Sequence, residues 1–114
     1  MGFEEEGTKE KSSGPGASTN PHISLQKAVD MGEYDPEFLA TFPEWHTLSR
    51  HIQFQFVREG LDNRYRHLIT QWAEINNVID FHLKPHLKVA LRNIERQLRK
   101  LDEDRERLYL EYST

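Results

Sequence analysis

Cysteine is missing from all 114 residues. That excludes disulfides, thiolate nucleophiles and Cys-ligated zinc or iron–sulfur sites. Glycine is scarce: of the six present, Gly2, Gly7, Gly14 and Gly16 crowd the first 16 positions, and only Gly32 and Gly60 lie beyond. The remainder therefore has no phosphate-cradling loop and no dinucleotide fingerprint, and no Gly-x-Ser-x-Gly elbow presents a nucleophilic serine. No apolar run approaches the ~20 residues that a membrane-crossing helix needs. Nor does a cationic segment followed by an apolar stretch open the sequence, so a cytoplasmic protein without a membrane partner is expected.

What is present is charge and amphipathic pattern. Acids outnumber bases 19 to 15, for a net charge of −4, and hydrophobic residues make up 36%, enough for one small domain. Residues 1 to 22 hold almost no apolar material and include Ser12-Ser13-Gly14-Pro15-Gly16. Such a stretch buries too little surface to offset its ordering entropy, which predicts a disordered tail. Residues 23 to 42 predict short helices. Ser24 caps the first, Leu25 to Met31, and Gly32 stops it in the left-handed position; Asp35 and Pro36 start a second through Phe38 and Leu39.

From Glu44 to Tyr112 the chain reads as helix nearly throughout, with Gly60 tolerated inside it. Leu61, Tyr65, Leu68, Trp72, Ile75 and Ile79 recur in alternating steps of four and three, and so do Leu87, Leu91, Ile94, Leu98, Leu101, Arg105 and Leu108. These are two heptad seams whose phase changes near Pro85. Proline pushes the preceding Lys84 out of the α region, so a break is expected near 82–85. Reversal there pairs residues whose numbers sum to about 166: Ile79 with Leu87, Ile75 with Leu91, Trp72 with Ile94, Leu68 with Leu98, Phe54 with Tyr112. All these pairs are apolar or aromatic, and only Leu61 with Arg105 departs from the pattern. The expected fold is all-α: residues 43 to 114 form a long antiparallel helical hairpin, coiled-coil-like, behind short N-terminal helices. A kinked continuous helix that dimerises through the same stripe is the alternative.

Leu25, Val29, Phe38, Leu39 and Phe42 also need cover. Either the segment from Ile23 to Phe42 folds back on the long helix, or a second copy of the chain supplies the surface.

Catalytic and metal chemistry find little footing. His82 and His86 are four apart, but Pro85 lies between them and no glutamate follows His82 as a zincin motif requires. Neither an enzyme nor a cofactor is expected. Charge distribution says more. Residues 1 to 43 carry eight acids and three bases (net −5), residues 44 to 100 ten bases and six acids (net +4), and residues 101 to 114 five acids and two bases (net −3). Lys84, Lys88, Arg92, Arg96 and Lys100 recur every four residues, with Arg99 beside them. This band is the candidate surface for a polyanion or a partner. In the bland reading it is the solvated back of a helix, pairing with Glu95 and with acids of the other arm. The expected role is a non-catalytic helical module for protein–protein interaction or assembly, with a protein partner or a second copy of itself. The alternative is a small nucleic-acid-associated protein using the band on the second long helix.

Overall fold

The computed structural model describes residues 23 to 113; the tail expected over 1 to 22 lies outside them. The described residues form four α-helices and no strand: α1 (Leu25–Asp30), α2 (Pro36–Leu39), α3 (Arg50–Asn76) and α4 (Pro85–Tyr112). The last two are the arms of the hairpin.

Local chemistry sets the boundaries. The Ser24 hydroxyl accepts from Lys27 N at 3.1 Å, and Gly32 follows α1 at φ 95°, a left-handed conformation that only glycine adopts freely. Asp35 accepts from Glu37 N at 3.0 Å with Pro36 in the first turn of α2.

The first arm starts later than the sequence predicts. Pro43 opens a 3-10 turn, Pro43–Thr47, after which Leu48 is extended and the Ser49 hydroxyl caps a new helix by accepting from Ile52 N at 3.2 Å. The bend turns Trp45 inward, to 6% exposure. A helix straight through from Glu44 would have carried that ring along the arm instead.

Across Gly60 the helix is continuous, and the glycine is there for space. A Cβ at position 60 would collide with the Glu33 carbonyl oxygen of the α1–α2 loop. The N-terminal segment thus lies directly on the backbone of α3. Side chains of α3 fasten it: Asn63 donates to Val29 O at 3.0 Å and Arg64 Nε to Gly32 O at 3.0 Å.

The reversal takes in the expected break near 82–85, with Lys84 extended, but begins earlier. Helix α3 ends at Asn76, with Asn77 as its cap, and the turn uses Asp80 at φ 56° before a 3-10 turn, Phe81–Leu83, leads into Pro85. Asp and Asn tolerate the left-handed region better than other non-glycine residues. Pro85 fills the first turn of α4, where its missing N–H costs nothing.

The core is one cluster. Leu25, Ala28, Val29, Leu39, Phe42 and Trp45 from the N-terminal segment join Val57, Leu61 and Leu68 of α3 and Ile94, Leu101 and Leu108 of α4. The folded-back segment therefore provides the cover that its apolar residues require. The core occupies the end of the hairpin away from the turn. At that end Phe54 stacks on Tyr112 with ring centroids 5.1 Å apart, the pairing expected from the sum of 166, and meets Tyr109 edge-on at 5.3 Å.

Candidate interaction surfaces

Three places concentrate chemistry. The first is a buried carboxylate. Asp104 of α4 is 7% exposed and accepts from Tyr34 Oη at 2.6 Å and from Lys100 Nζ at 2.8 Å, with Arg107 at 3.5 Å. Burial pushes the Asp104 carboxyl up, but the hydrogen bonds from Lys100 and Tyr34 outweigh it and hold it below the usual carboxylate range. Burial, reinforced by the bond to Asp104, pushes the Tyr34 phenol up. Beside them opens a groove of about 370 Å³ lined by Glu33, Tyr34, Arg64, Gln97, Lys100 and Arg107. Its charges are already answered: Lys100 and Arg107 sit on Asp104, and Arg64 reaches Gly32 O and Glu33, the latter at 3.8 Å. This site fastens the N-terminal segment to α4. Each cation lining the groove already has a partner.

The second is the basic band. Lys84, Lys88, Arg92, Arg96, Arg99 and Lys100 are all exposed along the first half of α4. Lys84 Nζ donates to Ile79 O at 3.1 Å, Arg96 donates to Asn93, and Lys100 belongs to the Asp104 site. Among the described residues no carboxylate pairs with Lys88, Arg92, Arg96 or Arg99; neither Glu95 nor the other arm provides one. Helix α4 also carries its charges against its own dipole, with no acid in its first turn and no base in its last.

The third is the open end of the hairpin. Ile79 is 81% exposed and Leu83 69%, with Val78, Trp72 and Val89 also open to solvent. Of the expected packing seam, Leu61, Leu68, Ile94, Leu101 and Leu108 are buried, Ile75 and Leu98 are partly buried against them, and Leu87 and Leu91 are half-buried. Tyr65, Trp72 and Ile79 are exposed, contrary to the seam reading. For Ile79 the cause is the early end of α3, which places it in the turn rather than on a helix face. Tyr65 instead lies under the Arg105 guanidinium, 6.0 Å from the ring centroid.

His82 and His86 flank Pro85 on different elements, the 3-10 turn and the first turn of α4. Among the described residues no group of three or more His, Asp or Glu is placed to hold a metal ion, and no helix is long and apolar enough to cross a membrane.

Sequence reasoning missed Tyr34 and Asp104. The i, i+4 spacing of Lys100 and Asp104 was visible, but the 70-residue reach to Tyr34 carries no local signal. No family model, no curated protein and no solved structure matches this chain.

Proposed function

We propose that this chain is a non-catalytic helical module for protein–protein interaction or assembly, and that it engages a protein partner through the open end of its hairpin. The observation that carries this reading is the exposure of Ile79 and Leu83 at 81% and 69%, on a turn that also leaves Val78 open. Apolar side chains grouped at one end of a small protein mark a contact site more often than an idle surface. A coiled-coil-like docking of a partner helix alongside Trp72 and Val89 suits such an end. The reading includes a cytoplasmic location, resting on the sequence grounds given above and checked by fractionating cells.

A photoreactive residue at position 79 tests the proposal in cells. Discrete cross-linked products are expected there and none from the same probe at exposed Asp62; a bare chain in both cases overturns it.

A second reading is favoured by the unpaired cations of α4. Lys88, Arg92 and Arg99 have no acidic partner among the described residues, as a phosphate-neutralising band requires. Gel-shift titrations with mixed RNA and DNA at two salt concentrations decide it, since only nucleic-acid binding gives a steep salt slope.

A further inference from the structure

The outer face of α4 carries a third heptad stripe, distinct from the two apolar seams. Val89, Arg92, Arg96, Arg99, Glu103, Glu106 and Leu110 follow one another in steps of three and four without a break. Steps of that kind keep residues on one side of a helix. All seven are exposed, and the side opposite them holds buried Ile94, Leu101 and Leu108. The stripe is apolar at each end, basic in its first half and acidic in its second. Read backwards, it meets itself: Val89 falls opposite Leu110, Arg92 opposite Glu106, and Arg96 opposite Glu103, with numbers summing to 198 or 199.

We propose that this face is a self-association surface, on which a second copy of the chain lays its own α4 antiparallel about a two-fold axis near Arg99. The inference rests on the reading of the chain as an assembly module, but uses a different face from the open end of the hairpin. Within one copy the arrangement is unfavourable. Lys88, Arg92 and Arg96 repel one another at i, i+4 spacing, Glu103 and Glu106 do the same at i, i+3, and Lys88 in the first turn of α4 opposes the helix dipole. An antiparallel second copy offsets most of this: Arg92 and Arg96 face Glu106 and Glu103, the two helix dipoles oppose, and exposed Val89 and Leu110, at 51% and 71%, cover each other at both ends, while Arg99 meets its own copy at the axis and opposes the pairing. The pairing is isologous, so every contact is made twice and the assembly closes at two copies. Among the described residues all seven positions of the stripe are exposed, and the hydrogen bond from Tyr34 meets α4 at buried Asp104, off the stripe. With just two apolar contacts per copy, the dimer is weak and salt-sensitive.

Sedimentation equilibrium of the full chain, over a concentration series at low and high salt, tests the proposal. A reversible dimer that weakens with salt is expected. Replacing Arg92→Glu with Arg96→Glu leaves Arg99 as the one base among four acids of the stripe, and Glu103→Arg with Glu106→Arg makes its charges wholly basic. Each pair is expected to weaken self-association at least about tenfold, or about 1.4 kcal/mol. Mixing the two variants is expected to restore a heterodimer, an outcome that damage to the fold could not produce. A wild-type chain that stays monomeric at low salt overturns the pairing, as does a mixture no better associated than its components. If Ile79→Asp with Leu83→Asp abolishes the dimer while both charge reversals leave it intact, self-association runs through the open end. This antiparallel pairing then fails and the assembly reading stands.

Discussion

The two ends of the hairpin are built on opposite principles. At the closed end, two arms and a folded-back N-terminal segment converge, and Val57, Leu61, Leu101 and Leu108 fall to 1% exposure or less. At the open end the arms have only each other, and Ile79 and Leu83 stand in solvent. Two helices alone expose most of each other's flanks; a third layer is what turns a seam into a core. Stability therefore concentrates where the third layer is, and the other end is left free for contact.

The contrast is broken most sharply by attacking the closed end. Leu61→Ala empties a site with no exposure at the meeting of all three layers and is expected to cost about 2–5 kcal/mol, read from urea unfolding. Gly60→Ala comes next. Alanine favours helix by about 1 kcal/mol, yet its methyl strikes the Glu33 carbonyl. The net expectation is a loss of about 1–3 kcal/mol, as for other overpacked sites, together with faster proteolysis between residues 23 and 48.

Asp104→Asn is expected to cost about 1–3 kcal/mol by leaving Tyr34 and the two cations imperfectly paired. It also carries a pH signature. The Asp104 carboxyl titrates lower in the folded chain than its ordinary 3.8, so the unfolded state binds the extra proton first. The stabilisation is then complete above about pH 4 and is lost as pH falls through the folded value. Tyr34 titrates above its ordinary 10.0 when folded, so its contribution holds below about pH 10 and disappears at higher pH. Melting temperatures measured across pH should flatten at the acid limb in Asp104→Asn and at the alkaline limb in Tyr34→Phe. The smallest effect belongs to the open end: Ile79→Ser is expected to shift stability by no more than about 0.5 kcal/mol. A large loss there would mean that the open end has a core of its own.

Much of the closed end was legible because its signals are local. Ser24, Gly32, Asp35 and Pro36 act through bonds to neighbours two or three residues away, and the heptad spacing of Leu61, Leu68, Ile94, Leu101 and Leu108 records burial directly. The later part of the turn was legible, since Lys84 is extended before Pro85 as expected, but its start at Asn77 was not, because Pro85 is a louder signal than the Asn76-Asn77 pair. Proline can begin a helix as readily as end one, and here it begins α4 while Asn77 ends α3. Trp72 continues the same seam beyond buried Leu68 yet is exposed, since periodicity reports which face a residue occupies and not how far the core extends; Tyr65, between buried Leu61 and Leu68, is exposed where Arg105, the one charged member of the second seam, lies over its ring. The basic band was visible as a spacing. That its cations find no carboxylate on the other arm depended on side-chain positions no spacing records.

The bond between Tyr34 and Asp104 joins residues 70 positions apart. As the chain leaves a ribosome, α1 and α2 meet α3 early, but their anchor on α4 emerges 70 residues after Tyr34. Until α4 emerges, the core cluster that holds Leu25, Val29 and Leu39 lacks Ile94, Leu101 and Leu108. The second arm thus works as a latch on the segment that holds α1 and α2, and a chain cut short before Asp104 would carry that segment unfastened.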